Sequence, residues 1–159
     1  MTINIAVIGL GKIAQDQHLP CISKNPDFKL VAAVSSRPGT LDVPVFKNQA
    51  ELFASGIAMD AVAICTPPSV RRNIALECLE AGVHLLLEKP PTPTISEFAD
   101  LKARAAVSGK VVFQTWHSRF NKAVAEAKRL QAGQKVTRLH VSWKESVWQW
   151  HPGQEWIWE

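Results

Sequence analysis

An apolar run, Ile3-Asn4-Ile5-Ala6-Val7-Ile8, breaks on Gly9-Leu10-Gly11 and resumes in the helix-compatible Lys12-Ile13-Ala14. It reads as strand, tight turn, helix. Such a turn presents backbone N–H groups and the positive end of a helix dipole to an anion, and glycine permits the close approach and unusual φ values that this contact requires. Gly9-x-Gly11-x-x-Ala14 fits the dinucleotide-binding pattern with alanine in the third place. A second apolar run, Lys29 to Ser35, closes a βαβ unit of about the expected 30 residues. Gly9, Gly11, Lys12 and Ile13 are therefore cofactor-binding candidates, with an ordinary glycine turn as the alternative.

The alternation continues along the chain. Leu30-Val31-Ala32-Ala33-Val34 is continuously apolar, as strands buried on both faces of a parallel sheet are. After Pro38-Gly39 come a short strand, Val43 to Phe46, and a helix from Gln49 to Ser55. Asp60 to Cys65 is a strand ending at Thr66-Pro67-Pro68, and a helix follows to Ala81-Gly82. His84 to Glu88 is a strand stopped by Lys89-Pro90-Pro91. A helix headed by Ser96 runs to Ser108-Gly109, and Lys110 to Trp116 is a sixth strand. The expectation is an α/β fold, a doubly wound parallel sheet of the Rossmann type over residues 1–120, with ligands beyond the carboxyl ends of the strands.

Several residues fall at those ends. Ser36 and Arg37 stand where an NAD site usually carries an acid, and a guanidinium suits a 2′-phosphate, so NADP is favoured with NAD as the alternative. Thr66 and Pro67 edge the same crevice, or are turn punctuation. Glu88 and Lys89 close a buried strand, which puts an ammonium where nicotinamide and substrate should meet; Lys89 is the catalytic candidate, its alternative a surface ion pair with Glu88. His117 is placed for substrate or cofactor, or is a structural histidine. The helix after the glycine turn is expected to be interrupted or bent at His18-Leu19-Pro20 before Cys21 to Lys24. His18 and Asp16 lack a second cluster, and no metal site is expected.

The chain then changes character. Asn121 to Ala132 reads as a helix, and Val136 to Val147 alternates as a strand with Leu139, Val141, Trp143, Glu145 and Val147 on one face. A carboxylate on an apolar face needs a polar partner, such as a ligand hydroxyl. All but one of the six tryptophans fall between Trp143 and Trp158, around His151. Aromatics about a few polar groups suit a sugar ring, or else an interface.

Composition narrows the function. A net charge of +4 over 159 residues, with basic and acidic residues interspersed, argues for anionic small ligands over nucleic acid. No apolar stretch reaches bilayer length and no signal peptide is evident. Three cysteines without metal or redox spacing suggest reduced thiols in the cytoplasm, with Cys65 and Cys78 as small buried hydrophobes.

Gly9-Leu10-Gly11-Lys12-Ile13-Ala14, Cys65-Thr66-Pro67-Pro68 and Glu88-Lys89-Pro90, in that order, resemble the Gfo/Idh/MocA oxidoreductases. The segments Gly11-Lys12-Ile13-Ala14-Gln15-Asp16-Gln17-His18-Leu19-Pro20, Thr115-Trp116-His117-Ser118-Arg119, Trp143-Lys144-Glu145 and His151 to Glu159 are similar, more narrowly, to that family's bacterial L-arabinose and D-galactose 1-dehydrogenases. The resemblance implies NADP-linked oxidation of an aldose at its C1 hydroxyl to a lactone. It implies that Lys89, Glu145 and His151 bind sugar hydroxyls, with Trp150 and His117 nearby. Asn73 departs from the histidine found there in many members of the wider family. The resemblance further implies a chain roughly twice this length. Residues 121–159 would then hold a linking helix and the first strand of a truncated C-terminal α+β domain, whose sheet would make the full-length protein a homo-oligomer. These residues alone would have little or no turnover. The alternative function is a non-catalytic NAD(P)-binding sensor or regulatory module of the same fold.

Overall fold

The computed structural model describes residues 1–37, 39, 41–142 and 144–154, with Trp150 described by its backbone alone. It divides into two compact units, Met1–Trp116 and His117–Glu159.

In the first unit the apolar runs become β1 (Ile3–Ile8), β2 (Phe28–Val34), β3 (Val45–Phe46), β4 (Ala61–Ile64), β5 (His84–Leu87) and β6 (Val112–Gln114). They form one sheet in the order β3-β2-β1-β4-β5-β6. Every neighbouring pair is parallel, and helices connect β1 to β2, β4 to β5 and β5 to β6. This is the doubly wound Rossmann order.

Strand periodicity distributes the core over both faces. Ala6 and Ile8 of β1, Val62 and Ile64 of β4, and Leu85 and Leu87 of β5 pack with helices α2 (Gln49–Ala54), α3 (Pro68–Glu80) and α4 (Ile95–Ser108) through Leu52, Ile74, Cys78, Leu79 and Leu101. Ile5, Val7, Ala63 and Cys65 point the other way, toward Ala14 and Ile22. Each fully buried side chain of this size contributes roughly 1.5 to 3 kcal/mol.

Three local expectations are corrected. Residues 12–24 stay helical through Pro20: a π-helical segment, Ala14–His18, passes directly into α1 (Leu19–Lys24). Pro20, which has no N–H to donate, is the second residue of α1, just after the π-helical turn, where the ordinary hydrogen-bond ladder is already interrupted. Helix α4 is headed by Thr94 and not Ser96. The Thr94 hydroxyl accepts from the Glu97 N–H at 3.3 Å, so Thr94-x-x-Glu97 has the spacing of a capping box.

The third correction concerns the second unit. It holds a 3₁₀ turn (His117–Phe120), α5 (Lys122–Gln131) and α6 (Val147–Trp150), and no residue of α5 is buried. The alternating stretch Val136 to Val147 is not a strand among its described residues: Lys135–Ser142 and Lys144–Ser146 are irregular and Val147 opens α6. Alternation supplies two faces, but a strand also needs a neighbour to take its N–H and C=O groups, and the second unit has none among the described residues. No helix among the described residues is long and apolar enough to cross a membrane.

Candidate functional site

The two glycines of the first turn are held for different reasons. Gly9 has φ +93°, and its N–H donates to the Val34 carbonyl at 2.9 Å. A Cβ there would lie 3.0 Å from both the Thr66 nitrogen and Cγ2, and 3.1 Å from the Cys65 carbonyl carbon. The turn after β1 is thus pressed against the end of β4, and protein atoms alone account for this glycine. Gly11 has neither constraint: its φ is outside the left-handed range and a Cβ would meet nothing within 4 Å. Open space lies in front of it, at the start of the helical run that Gln15 N–H joins to the Gly11 carbonyl at 3.2 Å. Lys12 and Ile13 are exposed on that first turn, and the Lys12 ammonium pairs with Asp16 one turn on.

A cleft of about 440 Å³ opens beside this turn, lined by Leu10, Gln15, Leu19, Ser35, Arg37, Gly39 and Leu41. The end of β2 shapes it. The Ser35 hydroxyl accepts from the Arg37 N–H at 3.2 Å, a local turn that carries the exposed Arg37 onto the cleft wall. Ser36 is exposed at the bend and does not line the cleft. Among the described residues no carboxylate lines it, so their wall combines leucines with one cation.

At the end of β5 lies a buried polar cluster. Glu88 and His18 are each 8% exposed, and the His18 Nε2–H donates to Glu88 Oε1 at 2.8 Å. Glu88 Oε2 accepts from the Lys89 backbone N–H at 3.1 Å. Burial pushes the Glu88 carboxyl up, but hydrogen bonding with His18 and Thr115, the His18 charge and the Lys89 N–H together outweigh it and hold the group below its ordinary range. The Glu88 carboxylate thus pairs with His18 and not with the exposed Lys89 side chain. Arg71, 3% exposed, donates through Nη1 to the carbonyls of Glu88 and Pro90 and through Nη2 to that of Thr66. Pro67 is exposed and directly precedes α3; the Thr66 hydroxyl is buried without a protein partner.

The structure therefore brings Gly9, Thr66, Glu88 and Lys89 to the carboxyl ends of β1, β4 and β5, as expected for strand-end residues. Arg71 escapes sequence reasoning, because an arginine on a helix is ordinarily a solvated one. His18 stands out in the sequence only as a metal ligand; among the described residues no group of three His, Cys, Asp or Glu gathers to hold a metal.

The remaining candidates belong to the second unit. His117 is exposed at the start of the 3₁₀ turn. Glu145 is not on a buried strand face: it lies in irregular chain, its side chain 38% exposed, and His151 Nε2 stands 3.3 Å from its Oε1. That contact answers the carboxylate within the chain. The Trp150 side chain, together with Pro38, Trp143, Trp156 and Trp158, lies outside the described residues.

The family model described as "Oxidoreductase family, NAD-binding Rossmann fold", GFO_IDH_MocA, matches residues 3–115. Galactose 1-dehydrogenase of Pseudomonas fluorescens is 38% identical over 161 residues, covering 99% of this chain and 51% of that protein. D-glucoside 3-dehydrogenase of Escherichia coli is 31% identical over 127 residues, covering 74% of this chain and 36% of its own. Among solved structures, a D-galactose-1-dehydrogenase from Rhizobium etli matches 99% of this chain and 51% of its own at 45% identity, with a TM-score of 0.90. The chain thus spans about half the length of its near relatives, or less.

Proposed function

The chain belongs to the Gfo/Idh/MocA oxidoreductases, an NAD-binding Rossmann family, and from that premise we propose that it serves an NADP-linked aldose 1-dehydrogenase acting on D-galactose or L-arabinose. The observation that carries the cofactor half is the contrast between Gly9 and Gly11. One glycine is fixed by protein contacts; the other faces open space at a helix start, where a phosphate group fits and a methyl group would intrude. In this reading Gly9, Gly11, Lys12 and Ile13 hold the pyrophosphate, and Thr66, Pro67, Glu88 and Lys89 border the nicotinamide end. Arg37, with Ser36 at the bend beside it, takes the 2′-phosphate, because a guanidinium binds that dianion and no carboxylate among the described residues of the cleft wall repels it.

Bound NADP+ would supply the acceptor for a hydride. The sugar gives up the C1 hydrogen with its electron pair, and its C1 hydroxyl passes its proton to a general base and on to solvent, so that O1 becomes the lactone carbonyl. The exposed Lys89 ammonium donates a hydrogen bond to O1 and stabilises the negative charge that builds there. By the family resemblance, Glu145 and His151 would bind further sugar hydroxyls, with Trp150 and His117 close by. The names of the two galactose 1-dehydrogenase relatives support the substrate class.

Fluorescence titration with NADPH and with NADH tests the cofactor assignment. A preference for NADPH of about tenfold or more is expected from a charge-assisted phosphate contact. Equal affinities would remove the 2′-phosphate from Arg37.

A further inference from the structure

Lys89 stands on an exposed turn, yet the peptide groups around it are held from beneath by a single buried side chain. Arg71 Nη1 takes the Glu88 carbonyl, immediately before Lys89, and the Pro90 carbonyl, immediately after it. Nη2 takes the Thr66 carbonyl at the end of the neighbouring strand β4. From the other side the Lys89 N–H is taken by Glu88 Oε2, and the same carboxylate is braced by His18.

This arrangement is expensive for a core. Arg71 is 3% exposed, and its Nε has no hydrogen-bond partner. Its guanidinium meets only carbonyl oxygens in its direct contacts, while the carboxylate within reach is engaged by His18. Burial accordingly weakens the hold of Arg71 on its proton, and the nearby Glu88 charge offsets this only in part. A buried cation adds little stability that a well-packed apolar side chain would not also provide. What an apolar side chain cannot do is fix the directions of three carbonyls on two strand ends at once, as a planar fork of donors does.

We propose that Arg71 is a positioning residue for Lys89, setting the direction in which its ammonium leaves the end of β5. The inference rests on the reading that Lys89 borders the nicotinamide end of the cofactor. Placement of such a group matters steeply, since a displacement of about 1 Å costs on the order of a hundredfold in rate.

The test follows the Lys89 side chain itself in the 159-residue protein, by its lysine 13Cε–1Hε correlation, assigned with Lys89→Arg and recorded with and without NADPH. In the parent the Lys89 signal shifts when NADPH is added. In Arg71→Met and Arg71→Lys that shift is largely lost, while NADPH affinity stays within about threefold because the adenosine end is distant and untouched. Lysine keeps the charge but not the fork, so Arg71→Lys carries the test if the methionine variant does not fold. A full shift in either variant overturns the inference. So does a joint fall in affinity and melting temperature, which a merely structural role produces. A parent Lys89 signal that ignores NADPH overturns the site assignment, and this inference with it.

Discussion

His18 Nε2 lies 2.8 Å from Glu88 Oε1, and this bond between two buried groups joins the helical run after β1 to the carboxyl end of β5. The π-helical segment ends on His18, whose buried ring meets Glu88 at the strand end. Two segments distant in sequence, one beside the glycine turn and one carrying Lys89, are thereby fixed to each other.

That bond gives acid sensitivity a definite sign. The folded Glu88 carboxyl titrates below its ordinary value of 4.5, so the folded state binds this proton more weakly than the unfolded chain does. The contribution is complete above 4.5 and is lost as the pH falls through the folded value. Glu88→Gln is expected to cost about 1 to 3 kcal/mol at neutral pH, the range for a hydrogen bond to a charged group, and to flatten the acid limb of the stability curve. Urea unfolding of both proteins between neutral and acid pH measures this; parallel curves would remove the pair from the acid response.

The two glycines separate stability from binding. Gly9→Ala forces a Cβ to within 3.0 Å of Thr66 backbone at a left-handed φ, and is expected to destabilise by about 1 to 3 kcal/mol or more. Gly11→Ala meets no protein atom and should leave stability within about 0.5 kcal/mol, yet weaken NADPH binding about tenfold or more. Thermal unfolding and fluorescence titration of the two variants should give opposite profiles.

Arg37 should discriminate between cofactors without affecting the fold. Arg37→Ala removes an exposed cation from the cleft wall, so NADPH affinity should fall about tenfold or more, while NADH affinity and melting temperature hold. Calorimetric titration with both dinucleotides gives the ratio directly.

Thiol chemistry reports on the core. Burial pushes the Cys65 and Cys78 thiols up to about 12, while Cys21 is exposed. Since the thiolate is the reactive form, a disulfide reagent at neutral pH should label Cys21 rapidly in the native protein and reach Cys65 and Cys78 only on unfolding. Rapid labelling at Cys78 would mean that the face packed on α3 opens readily.

Much of the first unit was legible because its signals are local. A continuous apolar run such as Leu30 to Val34 declares a buried parallel strand, and Gly9-x-Gly11 declares the turn that follows one. The alternating stretch from Val136 failed as a strand because pairing is a property of two segments and alternation of only one. Arg71 and the pairing of His18 with Glu88 were invisible for a related reason: no spacing rule links residues whose only relation is the crossing of a sheet. The Thr94 cap is local and legible: Glu97 stands three places after it, the spacing of a capping box, whereas the acid Asp100 stands four places after Ser96.

The strand order also has a consequence for how such a protein can diverge. The chain passes from β1 outward to β3 and only then returns to the opposite side of β1 for β4, β5 and β6. Residues proposed to hold the nucleotide at β1 and β2 therefore come from an early, contiguous stretch, and Lys89, proposed to meet the second reactant, comes from a later one. Descent can change which dinucleotide is preferred by altering a few positions after β2, while the later loops, which in the proposed reading also border the reactive ring, are free to change only where they do not meet it.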